Sequence, residues 1–251
     1  ACITHSTGGP VARAWIHQFY GQRLPSCPLS HLVMLAPASH GSALAQLGKG
    51  KLSRMKFFLL EGVEPGVGVL NWLELGSQQS WDLNTAWMEY DLTGAGIYSF
   101  VLTGQTIDRA VYDNLNSYTA EPGSDGVVRV AAANMNYGLV RLEQEAEGFK
   151  LVKQGKSPRS AFGVLPGLAH SGDELGIMRS VQGDSAAQHP TVRATRQCLR
   201  VRSGTQYRAC IDSFDKLTAE TQAAERSRPE TAVLLFKRTF KTSRYFMLIF
   251  R

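Results

Sequence analysis

No run of apolar residues in this 251-residue chain approaches the roughly 18–20 needed to cross a bilayer as a helix. The longest, "ETAVLLF" and "YFMLIF", suit strands instead. The four cysteines, Cys2, Cys27, Cys198 and Cys210, lack the short paired spacing of a zinc site. They read as ordinary reduced thiols, with a Cys198–Cys210 bridge as the alternative, and so leave the compartment undecided. Internal repeats and low-complexity tracts are missing, which excludes a solenoid and a disordered tail. No nucleic-acid-binding module accompanies the basic residues, so nucleic acid is not an expected partner.

What is present describes an ordinary globular protein: 43% apolar and 19% charged residues, with a net charge of +6. That charge is uneven. Residues 193–251 hold 13 Lys+Arg against 5 Asp+Glu, a balance of +8, and residues 1–192 hold 14 against 16, or −2. The basic excess reads first as a solvated helical face. Its functional reading is attraction to an anionic membrane surface or an acidic partner protein.

"ACIT" reads as the end of a strand, and "GGPVARAWIHQFYG" as a helix closed by Gly21, with Val11, Ala14, Trp15 and Phe19 as its apolar face. "SHLVMLAP" then reads as a short buried strand ended by Pro37. Strand, helix and strand in that order predict a parallel sheet. From Ala38 to Gly96 strand character is missing, and "EPGVGVLNWLELG" reads as a glycine-rich turn. Strand returns at "IYSFVLTG". The segments "VVRVAAANMNYGLVRLEQ", "GFKLVKQG" and "SAFGVLPG" read as extended, part of them as a hairpin-like excursion. "DELGIMRSV", "HPTVRATRQCLRV" and "YRACIDSFDKLTAETQAAERS" read as helices, the second opened by Pro190. The end, "ETAVLLFKRTFKTSRYFMLIFR", reads as two strands around a polar turn.

A serine hydroxyl becomes a nucleophile only when a base takes its proton and donors receive the charge that develops on the substrate. In "ACITHSTGGP", Ser6 has small residues two before it (Thr4) and two after it (Gly8), as a strained strand-to-helix corner requires. Gly9 lets the following helix pack close to the strand. The Thr7 N–H, at the start of that helix, is the expected oxyanion donor. A helix cap rich in Ser, Thr and Gly has a similar composition. The stretch resembles the nucleophile elbow of α/β-hydrolases, with Thr4 in place of the commoner glycine. In that fold the acid and the histidine follow the serine along the chain. "EPGSDGVVRV" places Asp125 in a glycine-bounded loop similar to the acid loop of lipases. "LPGLAHSGDELGIM" places His170 in a glycine-flanked loop where the family keeps its base. Asp125 also reads as a plain turn former, and Asp108 and Asp113 are rival acids without its setting. Among the other histidines, His5 is fixed beside the nucleophile but points elsewhere. His40 reads as a structural residue or a pocket-lining one, and His17, His31 and His189 as surface or packing residues.

Further stretches, "LVMLAPASHGSALAQLGKG", "LTGQTID", "GSDGVVRVAAANMNY" and "LAHSGDELGIMRSV", extend the resemblance over roughly residues 1–182. Together they look like a bacterial lipase group similar to GPI-inositol-deacylase-like hydrolases, in the neighbourhood of the lipase effectors of type VI secretion. The resemblance implies an α/β fold, mostly a parallel sheet flanked by helices. It implies hydrolysis of a carboxylic ester, in a lipid, through an acyl-enzyme, with Ser6, His170 and Asp125 as the triad. That chemistry needs no metal or organic cofactor. A same-fold acyltransferase and a non-catalytic membrane- or partner-binding module are the alternatives. Residues 43–90 fit a lid insertion, since "KGKLSRMKFFLLEG" alternates four cations with apolar side chains as an interfacial amphipathic helix does. Residues 183–251 then form a basic helical tail ending in a β-hairpin. An α/β-hydrolase sheet has several strands before its nucleophile, and one of them leads to the loop with the second oxyanion donor. The few residues before Ser6 cannot supply these. The expected organisation is therefore the C-terminal part of such a domain, with its N-terminal strands absent, poor solubility and reduced turnover in isolation.

Overall fold

A computed structural model describes residues 1–42, 67–108, 123–226, 230–231, 237–238 and 246–250. Four short strands carry the architecture: β1 (Cys2–His5), β2 (His31–Leu35), β3 (Tyr98–Thr103) and β6 (Ala161–Val164). They lie side by side in the order β1-β2-β3-β6, and every neighbouring pair is parallel. β2, β3 and β6 are buried along their whole length, which explains their near-continuous apolar sequences.

Side chains alternate between the two faces of this sheet. Leu32, Met34, Val101, Phe162 and Val164 point into one apolar cluster, and Val33, Leu35, Phe100, Leu102 and Ala161 into the other. The first face is covered by helix α1 (Gly8–Tyr20), by α2 (Val67–Trp72) and α3 (Gln78–Trp87), and by the short α4 (Val130–Ala133). The second is covered by α5 (Pro190–Leu199) and α6 (Gly204–Arg226), which contribute Ala194, Cys198, Tyr207, Cys210, Ile211 and Phe214. Arg193, Arg196, Arg208 and Lys216, four of the tail's cations, sit on the solvent side of these helices, whose other side packs on the sheet. Cys198 and Cys210 are free buried thiols that lie against one another, and Cys2 and Cys27 are also free.

A long two-stranded ribbon, β4 (Gly138–Glu145) paired antiparallel with β5 (Gly148–Lys156), separates α4 from β6. Within the segment expected to close the chain, β7 (Glu230–Thr231) pairs antiparallel with β8 (Lys237–Arg238). Residues 43–66 of the expected lid lie outside the described residues. In its remainder "VGVLNW" and "QQSWDLNTAW" form helices, the first of them inside a stretch expected to be a glycine-rich turn.

Three further sequence expectations need correction. The α1 face toward the core is Gly9, Pro10, Ala12, Arg13 and Ile16, while Val11 and Phe19 are 61% and 58% exposed. The close approach of α1 to the sheet selects small residues. Arg13 enters the core because its guanidinium lies over the Trp87 ring, 4.7 Å from its centroid, and donates to Asn84 Oδ1. "DELGIMRSV" forms turns rather than a helix. A Cβ on Gly176 would come within 2.3 Å of the Gly172 oxygen, and Ala169 and Ile177 bond across this fold of the chain. Finally, "VAAA" closes one helical turn within a stretch expected to be extended throughout.

Candidate active site

Parallel strands direct their C-terminal ends to one edge of the sheet, and loops leaving that edge gather side chains from distant parts of the sequence. β1 ends at His5, and Ser6 follows with φ 52°, a left-handed conformation that is strained for a residue with a side chain. Its N–H still bonds to Leu35 O at the end of β2, at 2.9 Å. Two glycines make the corner compatible with the packing. A Cβ on Gly8 would meet Thr4 Cβ at 3.2 Å, and one on Gly9 would come within 2.7 Å of Pro37 Cβ. Threonine at position 4 is therefore accommodated because the facing position is glycine. Helix α1 starts directly beyond, and the Thr7 N–H makes no hydrogen bond among the described residues.

The loop after β6 carries His170, almost completely buried and framed by Gly167 and Gly172, both at positive φ. Its Nε2 lies 3.0 Å from Ser6 Oγ. On the other side of the ring, Nδ1 lies 2.9 Å from Asp125 Oδ2. The structure thus brings together three side chains separated by 164 and 45 positions along the chain. Asp125 is fully buried, yet its charge is well provided for. Oδ1 accepts from the N–H groups of Val127 (3.0 Å) and Val128 (2.8 Å), and the Asp125 carbonyl accepts from His170 N–H at 2.9 Å. Oδ2 can therefore only accept from Nδ1–H, which leaves the Nε2 lone pair free to accept from the serine hydroxyl. Such an arrangement can deprotonate a hydroxyl, stabilise the resulting imidazolium, and return the proton to a leaving group.

Of the rival acids, Asp108 is buried but is not the partner of His170, and Asp113 lies outside the described residues. His40 belongs to a buried network. Its Nε2 donates to Asn134 O (3.1 Å), its Nδ1 accepts from Asn84 Nδ2 (3.1 Å), and its ring meets Tyr137 edge-on. Burial, and secondarily the nearby Arg13 cation, lowers its pKa to about 4. Burial likewise lowers that of Arg13 to about 10 and raises that of Tyr137 to about 12. His31 packs between Val201 O and Phe100, and His189 caps α5 through Nδ1. His5 does not face Ser6. It lies against His170, a contact that spacing alone gives no means of finding.

Fold and site together define an α/β-hydrolase arrangement: a parallel sheet between helices, a strained serine at a strand-to-helix corner, and a histidine and an aspartate delivered by later loops. No family model and no curated protein matches the chain. Among solved structures it is similar to the phospholipase PlaB from Legionella pneumophila, at 53% identity and a TM-score of 0.88 over 97% of this chain. It is also similar to that phospholipase in complex with thio-NAD, at 52% identity and a TM-score of 0.87. The chain spans about half of each of those proteins, 52% and 50% respectively.

Proposed function

We propose that this chain carries the catalytic centre of an ester hydrolase acting on lipids, with phospholipids as the first substrates to test. The observation that carries the reading is the line of contacts from Ser6 Oγ to His170 Nε2 (3.0 Å) and from His170 Nδ1 to Asp125 Oδ2 (2.9 Å). The likeness to a phospholipase supports the lipid half of the reading.

Ser6 Oγ attacks the ester carbonyl carbon while its proton passes to His170 Nε2. The carbonyl oxygen takes up the negative charge beside the Thr7 N–H. Collapse of this intermediate breaks the bond to the alcohol, which leaves with the proton from Nε2, and the acyl group stays on Ser6. Water then attacks the acyl carbon, giving its proton to Nε2, and the acid departs as that proton returns to Ser6 Oγ. Asp125 stays ionised throughout, fixing the imidazole and stabilising its protonated form. The thio-NAD of the second similar structure belongs to that protein, and we assign a dinucleotide no step here.

The exposed cations Arg193 and Arg196 on α5, with Arg200 at its C-terminal end, support an anionic bilayer surface as the place of action. Vesicles containing anionic lipid should bind the protein in low salt and release it in high salt, and equal binding to neutral vesicles contradicts that part. The hydrolase reading is tested by fatty-acid release from phospholipid vesicles by the full-length protein and its Ser6→Ala variant. A loss of about 10³-fold or more is expected. A variant as active as the parent refutes the reading.

A further inference from the structure

His170 is held by more than the aspartate and the serine. Between β6 and the turns that begin at Asp173 its loop has only one isolated bridge, Ala169 with Gly176, and glycines at 167 and 172 take positive φ on either side. The position of such a loop is set by its tertiary contacts. The His170 N–H is taken by Asp125 O. The His170 carbonyl, the other backbone polar group, lies 3.2 Å from Nε2 of His5. A carbonyl only accepts, so Nε2 of His5 carries the hydrogen. The two imidazole rings also pack together, with centroids 4.8 Å apart and planes 43° from parallel.

The place of His5 in the sequence gives this contact its meaning. It is the last residue of β1, bonded covalently to Ser6, and its strand is registered on β2 through His5 and Leu35. We propose that His5 is a positioning residue for the catalytic base, tying the loop of His170 to the strand that carries the nucleophile. One hydrogen bond and one ring contact thereby fix the separation of Nε2 and Oγ independently of Asp125. This rests on the triad reading given above.

The charge state of His5 is compatible with the role. Burial first, and then the neighbouring His170 imidazole, lowers its pKa to about 4, against smaller opposing effects of the His170 carbonyl and the Asp125 charge. His5 therefore stays neutral at ordinary assay pH, and it adds no second positive charge when His170 becomes an imidazolium.

The test uses the full-length protein with two substitutions. His5→Phe keeps an aromatic ring against His170 and removes the donor, whereas His5→Gln keeps an N–H near the place of Nε2. Turnover of a soluble p-nitrophenyl ester, phosphonylation of Ser6 by a fluorophosphonate, and thermal midpoints are measured in parallel. In His5→Phe, kcat and the phosphonylation rate should fall together by about 10-fold or more, with KM within about 2-fold, because a displaced general base costs rate rather than binding. His5→Gln should recover most of the loss. Wild-type kcat in His5→Phe overturns the proposal, as does a loss confined to KM, or a His5→Gln variant as slow as His5→Phe. If His5→Phe does not fold, His5→Met takes its place in the comparison. Wild-type turnover in His170→Ala would sink the triad reading and this inference with it. Loss of turnover in His170→Ala beside an unaffected His5→Phe would sink this inference alone.

Discussion

Replacing Asp125 with asparagine changes one atom, and the structure allows its effect to be followed from that atom to the rate. The carboxylate makes three contacts: Oδ1 with the N–H groups of Val127 and Val128 at 3.0 and 2.8 Å, and Oδ2 with His170 Nδ1 at 2.9 Å. An asparagine can keep the first two, because its Oδ1 accepts equally well. They require that oxygen on the Val127 side, so the NH₂ group must face His170. Nδ1 then has to present a lone pair, and the imidazole hydrogen moves to Nε2. An Nε2–H beside Ser6 Oγ can donate to the hydroxyl but cannot take its proton. The imidazolium also loses the charge that stabilised it. A wrong tautomer of this kind costs roughly 10⁴-fold in kcat, equivalent to about 5.5 kcal/mol of barrier. The assay is kcat on a soluble ester for the full-length protein, with the thermal midpoint as a check on folding. A loss of less than about 10-fold in a folded Asp125→Asn protein would refute the tautomer reasoning.

Three other outcomes follow from particular residues. Gly9→Ala places a Cβ 2.7 Å from Pro37 Cβ, a rigid neighbour, and 3.4 Å from the Met34 sulfur. Such overpacking should cost about 1–3 kcal/mol and lower the thermal midpoint. An unchanged midpoint would mean that α1 can shift away from β2 freely. His5 and His40 have folded-state pKa values lowered to about 4 from an ordinary 6.5. Between those values the unfolded chain binds more protons, so their contribution is fully present above pH 6.5 and is lost as pH falls toward 4. The shift of the nearly buried His40 corresponds to roughly 3 kcal/mol. Chemical denaturation from pH 7.5 to 4.5 should show stability falling with pH, less steeply in His40→Gln, and a flat profile contradicts the assignment. Tyr137→Phe removes a 2.6 Å bond to Asn84 O and keeps the ring that meets His40 edge-on. It should cost about 1–2 kcal/mol of stability with kcat nearly unchanged. A selective loss of kcat would connect this network to the chemistry.

Much of the sheet was legible because buried parallel strands leave short, continuous apolar runs. "HLVML" and "YSFVLT" sit where such runs were found. The corner at Ser6 was legible for a steric reason: a positive-φ serine tolerates only small neighbours, and Thr4, Gly8 and Gly9 are small. The Asp125 loop was half legible. "SDG" signals a turn, but only the folded loop shows that its own N–H groups bind the carboxylate. The side of α1 that faces the core was misread, since helical periodicity credits Val11 and Phe19 and cannot credit a buried arginine. Arg13 is buried by a tryptophan and an asparagine from α3, about 70 positions away and beyond any local pattern. Likewise, the contact of His5 with His170 spans 165 positions. The turns of "DELGIMRSV" were missed because its apolar spacing fits a helix, whereas the approach of Gly176 to Gly172 decides the path.

The proposed chemistry requires Ser6 Oγ to be the atom that attacks, with His170 as its base, and active-site labelling tests this most directly. The full-length protein, incubated with a fluorophosphonate and digested, should carry the adduct on the peptide holding Ser6, and the Ser6→Ala and His170→Ala proteins should remain unlabelled. An adduct on any other serine, or equal labelling of folded Ser6→Ala, would contradict it.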